Sequence, residues 1–149
     1  EAAEVTVAND NAPGQVILSG PRDKLAEAEE AAREYGRRVL PLDVAGAFHS
    51  PSMEPAVPPF RAALDETELH EPAFTVFSSA TTKPFTDVRA ELTDVLTRPV
   101  RWRETVLAMH DAGGRRFVEV GPGKVLARLG KRILPDCKVE TPAEELAHA

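Results

Sequence analysis

Two kinds of apolar spacing follow one another along this chain, and their order limits the fold more than any other feature. Val5 to Ala8 alternates as a strand does, the turn-prone NDNAPG occupies Asn9 to Gly14, and QVILS at Gln15 to Ser19 reads as a second strand. Leu25, Ala28, Ala32 and Tyr35 then recur near the helical period. They predict a helix from about Arg22 to Tyr35, closed by Gly36. Arg38 to Leu42 predicts a third strand, and the irregular DVAGAFHSPSM follows. Val57, Phe60 and Leu64 mark a short helix starting regularly near Pro59 and ending near His70, and FTVFSS at Phe74 to Ser79 reads as a strand. Val88, Leu92, Val95 and Leu96 mark a further helix. Trp102, Val106 and Met109 mark another, terminated by Gly113 and Gly114. Arg116 to Val120 predicts a strand, Leu126, Leu129 and Ile133 a last helix, and the tail beyond Pro135 has room for one more short strand. Strand and helix alternating in this way predict an α/β architecture with part of its sheet parallel and flanked by helices.

Composition removes several classes of function. The chain has 149 residues, enough for one sizeable core. Its 24 Asp and Glu outnumber 18 Lys and Arg, for a formal charge of -6, so there is no broad electrostatic case for holding nucleic acid. The single cysteine, Cys137, excludes an intramolecular disulfide framework and any zinc site needing two cysteines, and it points to a reducing, cytoplasmic setting. His70 and His110 lack a nearby set of metal ligands and His148 is close to the chain end, so no metal is expected. No apolar run approaches the roughly 20 residues that span a bilayer, and the first residues lack the basic and apolar regions of a secretory signal. No membrane partner is expected.

Candidate chemistry is concentrated in GAFHSPSM. His49 lies where a strand passes into a loop, a common place for functional side chains in α/β proteins. Ser50 is its neighbour, but adjacent side chains in an extended chain do not face each other, so a Ser50–His49 nucleophile pair is a poor reading. GPGK at Gly121 to Lys124 superficially resembles a phosphate loop. Val125 breaks that pattern, and the glycines are better read as permitting a tight strand-to-helix turn. Arg115, Arg116, Lys124, Arg128, Lys131 and Arg132 make the C-terminal stretch locally basic, as either a solvated surface or a docking face for an acidic partner.

Five blocks taken together carry a resemblance. They are VANDNAPGQVILSG at Val7 to Gly20, GAFHSPSMEPA at Gly46 to Ala56, FSSATTKP at Phe77 to Pro84, PVRW at Pro99 to Trp102, and FVEVGPGKVLARLGKRI at Phe117 to Ile133. In this order they resemble the C-terminal half of malonyl-CoA:acyl carrier protein transacylases, and are similar to the acyltransferase domains of polyketide and fatty acid synthases. The resemblance implies a partial α/β-hydrolase-like core carrying the latter part of an inserted ferredoxin-like subdomain. Residues 1–42 would belong to the small subdomain and residues 43–149 to the large acyltransferase core.

By the same resemblance the parent enzyme transfers a malonyl group from coenzyme A to the phosphopantetheine thiol of acyl carrier protein through a serine ester. His49 would be its base, oriented by the backbone carbonyl at Val95, where the family often has glutamine. Phe48 and Ser79 would line the substrate site. GAFH looks like the malonyl-associated form of its motif, with Phe48 narrowing the space beside the acyl α-carbon, and Ser79 stands where the family usually has asparagine. No cofactor is implied, because malonyl-CoA is substrate and phosphopantetheine belongs to the carrier partner. The family's serine stands in an upstream G-H-S-x-G elbow, and its carboxylate-binding arginine is also upstream. None of Ser19, Ser50, Ser52, Ser78 or Ser79 has a G-x-S-x-G context. The missing N-terminal half therefore becomes an expected partner, and the 149 residues alone are expected to be inactive. The competing expectation is a non-catalytic fragment or remnant that binds acyl carrier protein or a complementary acyltransferase subunit.

Overall fold

In the computed structural model the described residues are 4–142, and they form a mixed α/β structure. The N-terminal hairpin pairs β1 (Thr6–Ala12) with β2 (Gln15–Ser19) in antiparallel register, with Ala12 opposite Gln15 and Thr6 opposite Ser19. Pro13 and Gly14 make the connection. Gly14 has a φ of 73°, a conformation that costs a residue without a β-carbon little. The sequence places the turn from Asn9 onward, whereas β1 runs through to Ala12. Its second edge explains this: Asp10 N–H donates to the Val100 carbonyl at 2.9 Å and Val100 N–H to the Ala8 carbonyl at 2.8 Å. A polar, turn-prone sequence stays extended here because it is paired on both sides.

Helix α1 (Arg22–Glu34) and helix α4 (Trp102–Asp111) both end in a Schellman arrangement. At the first, Arg37 N–H reaches the Ala32 carbonyl and Gly36 N–H the Arg33 carbonyl; at the second, Gly114 N–H reaches Met109 and Gly113 N–H reaches His110. Gly36 and Gly113 supply the required positive φ, 67° and 104°. Both stops are the ones the glycines predict. Between these helices a 3₁₀ turn (Pro51–Ala56) leads directly into α2 (Val57–Asp65), and α3 spans Val88–Asp94. Helical structure therefore begins before Pro59 and ends short of His70, because Pro51 at the first position of the 3₁₀ turn starts it early.

The second sheet pairs β3 (Arg116–Val118) in parallel with β4 (Lys138–Glu140), and α5 (Val125–Ile133) is the crossover between them. This short unit matches the predicted parallel component. The core gathers around it: Ala8 and Ala12 of β1, Val106 of α4, Ala127 and Leu129 of α5, Leu134, and Val139 of β4 are all buried. Glu119 lies just past β3, and its carboxylate accepts the Ala127 N–H at 2.8 Å. That bond satisfies one of the donors left open at the start of α5.

Two expected strands do not form among the described residues. Arg38 to Leu42 has no ladder partner, and Leu40 and Leu42 remain exposed. Phe74 to Ser79 contributes only an isolated antiparallel bridge, Phe77 to Pro84. Pro84 has no N–H to extend a ladder, and the chain turns back through Ser78 and Lys83. No helix of the described residues is long and apolar enough to cross a membrane.

Glu140 locks the parallel pair from the side. Its side chain is 5% exposed, and Oε1 accepts from Arg116 Nε at 3.0 Å and Nη2 at 2.7 Å, with Lys138 Nζ 3.1 Å from Oε2. The Arg116 hydrogen bonds hold the Glu140 carboxyl below its ordinary value of 4.5 against the opposing effect of burial. A carboxyl lowered in the folded state stabilises fully above its unfolded value and loses that contribution as pH falls through the folded value. Thermal melts of the wild type and Glu140→Gln should therefore differ most above pH 4.5 and converge below it. A constant gap down to strongly acidic pH would contradict this role for the ion pair.

Candidate active site

His49 is half-buried and is one of two non-glycine residues with a positive φ among those described, at 58°. The left-handed conformation brings the β-carbon close to the next carbonyl and costs about 1–2 kcal/mol, so the surroundings must hold it in place. The strongest visible hold is on the ring. Nδ1 lies 2.8 Å from the carbonyl oxygen of Val95. A carbonyl can only accept, so Nδ1 carries the proton and donates it. In the neutral ring Nε2 is then left with its lone pair.

Val95 is the C-cap of α3, where helix geometry leaves carbonyls without an intrahelical donor. The negative end of the helix also favours any positive charge that develops on the imidazole. The helix itself is fixed at several points. Asp87 Oδ1 caps its start by accepting Ala90 N–H at 3.0 Å, and the buried Thr93 bonds the Arg89 carbonyl at 2.8 Å. Glu91 ties α3 to the preceding turn, accepting from Thr81 Oγ1 at 3.1 Å and Thr86 N–H at 3.0 Å. Burial pushes the Glu91 carboxyl up. The hydrogen bonds from Thr86 N–H, the Ser78 and Thr81 hydroxyls and the Asp87 backbone outweigh it and hold the group below its ordinary value.

The segment that follows α3 ties the N-terminal hairpin to the turn that precedes α3. Arg101 N–H donates to the Ser79 carbonyl at 2.8 Å, one residue from the Val100 bridge to β1. Arg103 pairs with Asp10, Nη2 to Oδ2 at 2.7 Å, while Arg101 pairs with Glu104. Sequence patterns point to neither Glu91 nor the Asp10–Arg103 pair. A capping signal at Asp87 and an acidic residue one turn later were available for Glu91. Nothing local marks a partnership across 93 positions.

The four predicted site residues are arranged unequally. His49 and the Val95 carbonyl are in direct contact. Phe48 is 46% exposed beside His49 and so is not part of the core of the described residues. Ser79 is held through its carbonyl by Arg101. Gly121 and Gly123 both have positive φ, 149° and 101°, in the tight turn before α5. Several of the basic C-terminal residues have internal partners: Arg115 bonds the His110 carbonyl, Arg116 pairs with Glu140, and Arg132 reaches Gln15 and the Pro13 carbonyl. Among the described residues, no group of three or more His, Cys, Asp or Glu side chains could hold a metal ion.

A loop histidine oriented through its Nδ1 by a helix-end carbonyl, with Nε2 left to accept a proton, is an arrangement that can serve general-base chemistry in a mixed α/β scaffold. The chain belongs to the acyl transferase domain family, whose model matches residues 1–147. It is 36% identical over 133 residues to the malonyl CoA-acyl carrier protein transacylase of Bacillus subtilis, covering 87% of this chain and 42% of that protein. An acyl carrier protein S-malonyltransferase from Vibrio cholerae superposes with a TM-score of 0.92 at 33% identity, covering 100% of this chain and 51% of the other. A malonyl-transacylase solved in complex with its type II polyketide acyl-carrier protein superposes at 0.85 with 33% identity, covering 93% of this chain and 45% of the other. The chain spans about half the length of the curated relatives it matches.

Proposed function

We propose that this chain is the histidine-bearing half of an acyltransferase that moves a malonyl group from coenzyme A to the phosphopantetheine thiol of an acyl carrier protein. The single observation that carries the reading is the His49 Nδ1 bond to the Val95 carbonyl, which orients the ring and leaves Nε2 as the proton acceptor. The nucleophile is a serine in the part of the acyltransferase these 149 residues do not span. Nε2 takes the serine proton as the oxygen attacks the thioester carbonyl, and the resulting imidazolium protonates the departing coenzyme A thiolate. The second half-reaction reverses the roles: Nε2 accepts the carrier thiol's proton, the thiolate attacks the serine ester, and the proton returns to the serine oxygen. No cofactor bound by this chain takes part.

Phe48 adjoins the base in the chain and is about half exposed; in this reading it narrows the acyl pocket and Ser79 lines it. A one-methyl discrimination of this kind is worth about 1–3 kcal/mol, so Phe48 sets a preference for malonyl over methylmalonyl groups. The acyl carrier protein docks as the acidic partner, with Arg128 and Lys131 exposed on α5 as candidate contacts. Residues 1–42 form the latter part of the ferredoxin-like small subdomain, and residues 43–149 complete the hydrolase-like core, in the cytoplasm. The relatives' names and the carrier complex support malonyl transfer and an acyl carrier partner.

The test is transfer of labelled malonyl from malonyl-CoA to a holo carrier protein by an acyltransferase containing this half and a serine-elbow half. Saturable transfer supports the enzyme. Saturable carrier binding without transfer would favour a non-catalytic binding role instead.

A further inference from the structure

Ser50 is 1% exposed, and its hydroxyl is committed to the loop that carries His49. Oγ donates to the Ala47 carbonyl at 2.6 Å and accepts the Ser52 N–H at 3.3 Å. The first bond spans Phe48 and His49, and the second caps the 3₁₀ turn that begins at Pro51. His49 takes its positive φ inside the turn that the Ala47 bond closes. A buried hydroxyl already donating its proton to a backbone carbonyl is not a nucleophile waiting for a base, so the geometry leaves Ser50 a different task.

We propose that Ser50 is a positioning residue for this site: its hydroxyl holds the Ala47–Ser52 turn closed, keeping His49 left-handed and its Nδ1–H on the Val95 carbonyl. The inference rests on the reading of His49 as the base. Relaxation of His49 toward an ordinary φ would swing the ring off that carbonyl. Nδ1 would then lose the acceptor that fixes its tautomer, and Nε2 would hold the proton for part of the time. Removing the hydroxyl takes away the side-chain cap of the 3₁₀ turn, but Pro51 at its first position and the Met53 N–H bond to the Ser50 carbonyl at 3.0 Å remain to hold it. Ser50→Ala should therefore fold.

The experiment has two readouts, the ring-nitrogen NMR spectrum of His49 in the 149-residue chain and the steady-state kinetics of malonyl transfer by the complete acyltransferase. With circular dichroism unchanged, Ser50→Ala should convert a single Nδ1-protonated tautomer into a mixture, and Ser50→Thr, which keeps the hydroxyl, should restore it. In the complete enzyme Ser50→Ala should lower kcat about a hundredfold with KM unchanged, the scale of a small misplacement of a reacting group. An unchanged tautomer in a folded Ser50→Ala chain would overturn the proposal. Loss of the tautomer with transfer intact would uphold Ser50 as the residue that positions His49, and would instead remove His49 from the role of base.

Discussion

His49→Ala in the complete acyltransferase is expected to lower kcat for malonyl transfer by about a thousandfold, within the range general-base catalysis supplies, while leaving the affinity for malonyl-CoA nearly unchanged. The expectation follows from where the ring is held. Nδ1–H is spent on the Val95 carbonyl, so Nε2 is the nitrogen left for the proposed proton transfer, and alanine removes it without disturbing a core residue. Alanine keeps a β-carbon and the unfavourable φ, so this variant gains no relief of backbone strain. His49→Gly would gain it, and should be more stable than His49→Ala though equally slow. Parallel steady-state kinetics and thermal melts on the two variants separate the chemical role of the ring from the conformational cost of its backbone.

Gly130→Leu is expected to destabilise the fold by about 2–3 kcal/mol, a large share of the stability of an ordinary domain. Gly130 is on α5 where the helix packs on β4. A β-carbon there would stand 2.9 Å from Cγ1 and 3.5 Å from Cγ2 of Val139. Val139 is itself 6% exposed and stiff at χ1, so it cannot turn away. Replacing a helical glycine recovers up to ~1 kcal/mol of helix propensity, which is too little to offset the overlap. The cause can be isolated: Gly130→Ala should be destabilising alone and close to neutral when Val139→Ala has already opened the space. Chemical denaturation of the single and double variants checks this, and equal costs in both backgrounds would rule out the Val139 contact as the cause.

Much of the fold was legible because its signals are local. Gly36 and Gly113 stop helices where their permissive φ is needed, and the crossover from β3 through α5 to β4 follows its apolar spacing. Pairing was less legible. β1 runs four residues beyond its alternating stretch because Val100 supports its second edge, and Arg38 to Leu42 has strand composition but no partner. A strand is made by what lies beside it, which local sequence does not encode. At the site, His49 was visible as a histidine in a small-residue loop, whereas its orienting partner came only from the family resemblance. A backbone carbonyl carries no side-chain signature, and Val95 is an ordinary helix residue by spacing. The positive φ at His49, the Ser50 clamp around it and the Asp10–Arg103 pair needed coordinates.

Under the proposed function His49 activates a serine held by the remainder of the acyltransferase. The most direct measurement is the intact mass of the complete enzyme milliseconds to seconds after mixing with malonyl-CoA and no carrier protein. The wild type should gain one malonyl group, mapped by peptide mass to a serine outside these 149 residues, and His49→Ala should gain it about a thousandfold more slowly. Acylation of a serine within the 149 residues, or equal rates for the two proteins, would contradict it.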